Sequence, residues 1–269
     1  MGALLAITAV IICLFIGVPV VFAFAIMTLV LSIIYDIHHS FVMTTGFWSI
    51  NSVILIALPL FIMAGYIMQA GGMAKRLITF VEALVGKSRS GMGSSMVVAC
   101  GIFGAISGTA TAAVASVGPI MSGPMQRHGY DKHYTSALLG ISSLLGILIP
   151  PSITMILYAV VTRQSVAACF LATIGPGILL MTSLIIYNRI SQRFGQSTAP
   201  IPSIAERMPE IGRAAWYAAP ALLVPFIILG GIYGGLFTPT EAAAVAVLYA
   251  IPVGFFVYRE LDLKKLAKA

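Results

Sequence analysis

Apolar residues occur along this sequence in long stretches separated by short polar segments. The first stretch, from Ala3 to Tyr35, would be about 50 Å long as one helix, which is too long for a single comfortable membrane crossing. Because Gly17-Val18-Pro19 lies near its middle, the pattern predicts two short spans that meet at that break. Further spans are predicted at Val53 to Met68, Ser136 to Val160, Val166 to Tyr187, Ala214 to Tyr233 and Ala242 to Val257.

Composition supports the membrane interpretation. Of the 269 residues, 59% are apolar and 9% are charged, whereas about 25% of residues are charged in ordinary soluble domains. A soluble globular protein is therefore excluded, and the predicted fold class is an all-α polytopic membrane protein. The three cysteines lie in apolar stretches without metal-ligand spacing, so they are interpreted as packed or lipid-facing thiols.

A different periodicity marks Met73 to Val85. Met73, Leu77, Phe80, Val81 and Leu84 share one helical face, and polar residues occupy the others. This pattern predicts an amphipathic helix that lies at the membrane surface or forms an arm against a neighbour.

Basic residues predict the topology. All of them except Arg163 fall in four segments, which the positive-inside rule places in the cytoplasm. These segments are Gln69 to Gly91, Gln126 to His133, Asn188 to Arg213 and Arg259 to Ala269. Arg163 must then face outward, and two spans in the first stretch put the N-terminus outside.

The stretch from Met92 to Pro124 lies between two cytoplasmic segments, so it crosses the membrane an even number of times. It is too short for two full spans and a turn, which predicts a re-entrant hairpin. Its centre, Gly101 to Thr111, is rich in Gly, Ser and Thr, as a buried tip at membrane depth requires. The alternative is a small-residue face for helix packing.

A second break is predicted in the next span. Pro150 and Pro151 follow Ser142-Ser143-Leu144-Leu145-Gly146 inside an apolar helix, where they remove two backbone donors and clash with the preceding turn. A hairpin tip and a discontinuous helix at mid-membrane depth are the elements from which secondary transporters build ion and substrate sites.

At these residues the sequence resembles the large membrane subunit of tripartite ATP-independent periplasmic (TRAP) transporters, the DctM-like permeases. The matching segments occur in family order and cover essentially the whole chain. They are Leu58-Pro59-Leu60-Phe61-Ile62-Met63-Ala64-Gly65, Gly104-Ala105-Ile106-Ser107-Gly108-Thr109-Ala110, Gly129-Tyr130, Leu148-Ile149-Pro150-Pro151-Ser152 and Phe237-Thr238-Pro239-Thr240-Glu241-Ala242-Ala243-Ala244.

The resemblance implies an elevator-type transporter of inverted repeats in the bacterial inner (cytoplasmic) membrane. It implies a sodium-driven symporter that takes carboxylate-bearing solutes from a periplasmic substrate-binding protein and works beside a small four-helix membrane subunit. No cofactor is expected, with the sodium ion acting as the coupling ion, and neither a nucleic-acid partner nor an enzymatic activity is expected.

The chain departs from the family pattern in one respect. Family members continue into a second repeat with its own hairpin and broken helix, whereas this sequence ends at Ala269. The chain is then expected to be a truncated or split gene product, a fragment of a longer reading frame, or one piece of an assembly that needs a second-repeat half. The predicted division is scaffold-type spans and the arm helix in 1–91, a transport-type region in 92–190, a cytoplasmic linker in 191–213 and the start of the second repeat in 214–269.

Hydroxyl and backbone oxygens near the two breaks are the candidate ligands. The predicted sodium site comprises Gly104, Ser107, Thr109, Ser142, Ser143 and Gly146, and the predicted substrate-binding residues are Ser107, Gly108, Thr109, Pro150, Pro151 and Ser152. Two other interpretations remain open: Ser107 bonds a backbone carbonyl one turn earlier, and the Ser and Gly residues before the prolines serve helix packing.

The sequence gives weaker support to three other functions. An intramembrane serine hydrolase built on Ser107 needs a base within hydrogen-bond reach, and no His, Lys or Asp lies in a predicted span. An ABC-type permease is suggested only by Glu241-Ala242-Ala243, which lies at an outer span end and not in the cytoplasmic loop that docks an ATPase. Glu241 is interpreted as a helix cap in preference to a proton-coupling residue. A non-transporting fragment stays open as the third function.

All four histidines are expected in solvated loops.

Overall fold

The computed structural model describes residues 2–86, 90–191 and 204–266, and in those residues every regular element is helical. The helices are α1 Gly2–Phe15, α2 Val20–Ile34, α3 His39–Ile50, α4 Ala57–Ala70, α5 Met73–Val81, α6 Gly91–Ser107, α7 Ala110–Arg127, α8 Lys132–Ser142, α9 Leu145–Leu148, α10 Ile153–Thr162, α11 Val166–Ser191, α12 Ile204–Tyr233, α13 Pro239–Pro252 and α14 Leu263–Leu266. The all-α fold class is confirmed.

The chain divides into two compact units, Met1–Ser52 and Val53–Ala269. In the first unit α1 packs against α2, with the predicted break at Ile16–Pro19 between them. Helix α3 was not predicted, because its sequence alternates apolar with polar residues too irregularly for a clear period. Most apolar side chains of this unit are exposed, Phe15 to 88% and Val21 to 77%, as expected of helices that face lipid or another protein.

Four helical segments of the second unit are long and apolar enough to cross a membrane, which confirms four of the predicted spans. They are Val53–Ala70, Val166–Ser191, Arg207–Tyr233 and Pro239–Val257. The remaining predicted span is also present as a broken element, in which Lys132–Leu148 and Ile153–Thr162 meet at 45°.

Helices α6 and α7 form the predicted hairpin, with only Gly108 and Thr109 between them. Each arm is about 26 Å long at 1.5 Å per residue, which is shorter than the roughly 30 Å hydrocarbon core. The tip is enclosed by protein, and Ser107 is only 2% exposed. Irregular backbone at membrane depth needs such an enclosure.

The amphipathic segment forms α5, and a π-helical turn over Glu82–Gly86 continues it. Met73, Leu77 and Val81 are buried as predicted, whereas Leu84 remains 48% exposed. The wider π turn changes the angle between successive residues and moves Leu84 off the apolar face. This face packs against α6 and α12, so other helices of this chain cover it, and the arm against a neighbour stays a prediction.

Two hydrophobic cores build the second unit. The first core joins α4, α12 and α13 with the start of α11, through side chains such as Phe61, Phe170 and Val224. The second joins α6, α7 and α8, through side chains such as Phe103 and Met121. Helix α5 takes part in both, because Leu77 belongs to the first core and Ile78 to the second.

A buried polar cluster holds the base of the hairpin against the end of α11. The Asn188 side-chain amide donates to the Ser90 carbonyl at 2.8 Å and to Ser94 Oγ at 3.2 Å. Its oxygen accepts from the Tyr134 hydroxyl at 3.0 Å. A Cβ on Gly93 would overlap the Asn188 side chain, so glycine is required for this close packing.

Several sequence predictions concern the ends of these elements. Glu241 forms a capping box, with its carboxylate accepting from the Thr238 N–H at 2.8 Å, which confirms the capping interpretation. Helix α11 extends to Ser191 and α12 begins at Ile204, so both ends of the predicted linker are helical. The basic residues Lys87, Arg89, Arg193 and Lys268 lie outside the described residues.

Candidate functional site

The hairpin tip is shaped by the backbone of two residues. Gly108 adopts the left-handed conformation, with φ of 68°, which a glycine tolerates without a steric cost. Its N–H donates to the Gly104 carbonyl at 2.7 Å and so ends α6. Thr109 then caps α7, because its hydroxyl accepts from the Ala112 N–H at 3.2 Å.

The second break lies directly against this tip. The Ile153 N–H, at the start of α10, donates to the Gly108 carbonyl at 3.2 Å. A Cβ on Gly108 would come within 3.1 Å of the Pro151 carbonyl oxygen. The hairpin tip and the Pro150-Pro151 break, which are distant in sequence, therefore form one junction.

Glycines let the two elements approach backbone to backbone on the other side of the junction. A Cβ on Gly104 would overlap the Cα of Gly146. A Cβ on Gly146 would lie 2.7 Å from the Thr109 carbonyl oxygen. This close packing brings α9 against both arms of the hairpin.

A cavity of about 390 Å³ opens beside the tip, on the side of α4. Residues that line it include Gly65, Tyr66, Gln69, Ser107, Thr109 and Thr111. None of its lining residues carries a formal charge. A small polar or anionic group entering the cavity would meet hydroxyl groups, a side-chain amide and the first turn of α7, where N–H groups lack intrahelical partners.

The serine hydroxyls of the predicted site differ in what they bond. Ser107 Oγ donates forward to the Thr109 carbonyl at a long 3.5 Å, not to a carbonyl one turn earlier. Ser143 Oγ donates to the Gly140 carbonyl of its own helix at 2.7 Å. Ser142 Oγ and Ser152 Oγ are fully buried, and neither has a hydrogen-bond partner among the described residues.

The structure brings together only part of the predicted residue set. Gly104, Ser107, Gly108, Thr109, Gly146 and Pro151 meet at the junction. Ser107 and Thr109 also line the cavity, whereas Ser142, Ser143, Pro150 and Ser152 do not. The hydroxyl of Ser143 is already used within its helix.

Sequence reasoning missed the contribution of α4 to this site. Gly65 packs against the tip so closely that a Cβ there would lie 3.1 Å from Ser107 Cα, and Tyr66 and Gln69 line the cavity. The signal available was the isolated pair Gly65 and Gln69, one helical turn apart in an apolar span. None of the four histidines lies at this site: all are exposed, and His39 and His133 lie in the first turns of helices, not in loops.

Comparison with known proteins decides the family. The family described as "Tripartite ATP-independent periplasmic transporter, DctM component" matches residues 7–269. The chain belongs to this TRAP permease family. The resemblance drawn from the sequence motifs is thereby confirmed. The chain is accordingly a multi-pass protein of the inner membrane, and its family is one of transporter subunits, not of enzymes.

Individual TRAP permeases give the degree of similarity. The chain is 43% identical over 215 residues to the C4-dicarboxylate TRAP transporter large permease protein DctM of Pseudomonas aeruginosa, covering 80% of this chain and 49% of that protein. It is 42% identical over 219 residues to the ectoine TRAP transporter large permease protein TeaC of Halomonas elongata, covering 80% and 50%. It is 36% identical over 220 residues to the sialic acid TRAP transporter permease protein SiaT of Haemophilus influenzae, covering 81% and 35%. The chain thus spans about half or less of the length of these relatives.

Proposed function

We propose that this chain supplies the first-repeat half of a sodium-coupled, binding-protein-dependent permease for carboxylate-bearing solutes. The observation that carries the proposal is the junction of the hairpin tip with the Pro150-Pro151 break, where the Ile153 N–H bonds the Gly108 carbonyl. Two interrupted helices that meet inside a membrane protein are the usual site of ion and substrate binding in secondary transporters.

The sodium part of the proposal rests on oxygens at this junction. Thr109 O lies 3.5 Å from Ser107 Oγ, and the backbone of Gly146 packs closely against the same carbonyl. A small cation that leaves water needs several oxygens at short range, and unwound backbone provides them without burying a formal charge. Ser107 Oγ, with its long and weak internal bond, is free to turn toward an ion.

The carboxylate part rests on the cavity and on the relatives. The first turn of α7 contributes Thr111 and Ala112 to the cavity wall, and a helix N-terminus favours an anionic group. Two of the relatives are named for C4-dicarboxylate and sialic acid transport. Because no charged residue lines the cavity, a carboxylate clamp of the arginine type would have to come from another part of the transporter.

The proposed partners are a small membrane subunit, a periplasmic substrate-binding protein and a second-repeat half. The exposed apolar side chains of the Met1–Ser52 unit support a membrane or protein neighbour. The coverage of about half of the DctM relative supports a second half that completes the transport site. A monodisperse preparation of this chain alone that transported solute would contradict this part of the proposal.

The function is tested by uptake in proteoliposomes. The chain is co-reconstituted with a second-repeat half, the small subunit and the binding protein, and uptake of a radiolabelled C4-dicarboxylate is measured with an inward sodium or potassium gradient. We expect uptake with sodium only and none without the binding protein. Equal uptake with potassium would refute the sodium coupling. No uptake of any carboxylate would favour the non-transporting fragment.

A further inference from the structure

A second cavity, distinct from the junction, lies among helix ends that the positive-inside rule places on the cytoplasmic side. It has a volume of about 590 Å³ and is bounded by α5, by the end of α7 and by the first turns of α12. Charged side chains of both signs line this cavity, whereas none line the cavity beside the hairpin tip. These are Lys75, Arg76, Glu82, Glu210, Arg213 and Glu260.

Three of these charges already have partners. Arg76 donates to Glu260 at 2.9 Å, also donates to the Gly72 carbonyl, and lies over the Tyr258 ring at 4.0 Å. Glu210 also has an interaction partner. Arg76 and Glu260 therefore neutralise each other and help to fix the corner between α4 and α5.

Two cations on the cavity wall have no charged partner among the described residues. Within the described part of the chain, neither Lys75 nor Arg213 makes an ion pair or a side-chain hydrogen bond, and both are exposed toward the cavity. They lie on different helices, α5 and α12, that pack against each other. Two unpaired cations on facing helices favour an anion placed between them.

An acidic side chain lies on the same wall. Glu82 is partly buried in the π turn after α5. Burial raises the pKa of its carboxyl, and the nearby His128 opposes that rise. The cavity thus offers two cations for an anionic group and one partly desolvated carboxylate for a cationic group.

The position of the cavity relative to the membrane indicates the class of its ligand. Arg213 and Tyr217 lie within the first three turns of the candidate span Arg207–Tyr233, and Trp216 next to them is 80% exposed. Exposed aromatic residues at a span end mark the membrane interface, where phospholipid headgroups lie. Further along the same helix, Leu223 and Phe226 are also exposed, as expected of a helix that faces lipid.

We propose that this cavity binds the headgroup of phosphatidylethanolamine from the cytoplasmic leaflet, with the phosphate between Lys75 and Arg213 and the ammonium group at Glu82. A lipid held there contacts α5, α7 and α12 at once, and α5 is the helix shared by both hydrophobic cores. The bound lipid would therefore stabilise the packing of the two hydrophobic cores against each other.

Native mass spectrometry of the detergent-purified chain tests this proposal. After delipidation, the protein is titrated with dilauroyl phosphatidylethanolamine, dilauroyl phosphatidylglycerol or inorganic phosphate. We expect one phosphatidylethanolamine per chain, bound at least tenfold more tightly than phosphatidylglycerol, and no displacement by millimolar phosphate. Equal binding of the two lipids would contradict the role of Glu82, and displacement by phosphate would show a site for free phosphate instead of lipid.

Variants locate the site. The double variant Lys75→Gln/Arg213→Gln should weaken phosphatidylethanolamine binding at least tenfold, and Glu82→Gln should abolish the preference over phosphatidylglycerol. Lys132→Gln is the matched control, because Lys132 is basic and exposed but does not line the cavity. Unchanged binding in the double variant would refute the proposal. The titrations of the wild-type chain with the two lipids and with phosphate need no variant. They therefore test the proposal even if a variant fails to fold.

Discussion

The backbone N–H of Ile153 donates to the backbone carbonyl of Gly108 across 3.2 Å, although Ile153 belongs to the broken element and Gly108 to the hairpin tip. This single bond joins the start of α10 to the tip of the α6–α7 hairpin. A movement of the hairpin tip relative to the Pro150-Pro151 break must lengthen or break it. The oxygens proposed to bind an ion and the cavity proposed to bind substrate thus lie at one shared junction.

Substitution of Gly146 should separate the two elements of that junction. A Cβ in Gly146→Ala would lie 2.7 Å from the Thr109 carbonyl oxygen and 3.0 Å from its carbonyl carbon. Because these are backbone atoms, neither can rotate away, and we expect a loss of about 1–3 kcal/mol in stability. Thermal unfolding in detergent measures this as a lower melting temperature.

The matched control is Gly140→Ala in α8, where a Cβ meets nothing within 4 Å. This variant should leave the melting temperature unchanged or raise it, since alanine favours a helix over glycine by up to about 1 kcal/mol. Equal destabilisation by the two substitutions would show that the Gly146 contact has no special role.

Asn188→Leu tests the buried polar cluster at the base of the hairpin. The substitution keeps the approximate side-chain volume but removes the bonds to Ser90, Ser94 and Tyr134. We expect a loss of about 1–2 kcal/mol, since buried partners are left unpaired and hydrogen bonds in membrane proteins are individually modest. Ser183→Ala on the same helix removes a hydroxyl that bonds only its own helix. A Ser183→Ala melting temperature as low as that of Asn188→Leu would contradict this role.

Much of the fold follows from the sequence because apolar length and proline placement are local signals. The hairpin is predicted from the basic segments on both sides of Met92 to Pro124 and from the length of that stretch. The broken helix is predicted from Pro150 and Pro151, which remove two backbone donors from an apolar helix. The contact between Gly65 and Ser107 could not be predicted in this way, because it joins helices far apart in sequence. The same holds for Asn188, whose partners lie about 54 to 98 residues away.

The hydrogen-bond partners of individual serine hydroxyls could not be predicted from the sequence either. Ser142 and Ser143 are adjacent and look equivalent, yet Ser143 Oγ bonds Gly140 while Ser142 Oγ is buried without a described partner. Which of two neighbouring serines turns toward its own helix depends on the rotation of that helix against the hairpin. Composition and spacing do not determine that rotation.

Topology is tested by labelling single cysteines introduced into a cysteine-free background. Arg163→Cys, in the turn between α10 and α11, should react with a membrane-impermeant maleimide added from the periplasmic side. Gln126→Cys, near the end of α7, should react only after the membrane is made permeable. Both native residues are exposed, so accessibility in the folded protein is matched. External labelling of position 126 would overturn the inside assignment and the re-entrant hairpin with it.

The junction as an ion site is tested most directly by the sodium dependence of uptake in Ser107→Ala, measured in the reconstituted transporter at saturating solute. Ser107 Oγ makes only a long 3.5 Å bond, so its removal should cost little in folding. The control is Ser122→Ala, since Ser122 lies in α7 away from the tip and bonds only the Gly118 carbonyl. We expect Ser107→Ala to raise the sodium concentration for half-maximal uptake about tenfold, equivalent to about 1.4 kcal/mol, while Ser122→Ala leaves it unchanged. An unchanged sodium dependence in both Ser107→Ala and Thr109→Ala would show that the hairpin tip is a packing element and would contradict the proposed site.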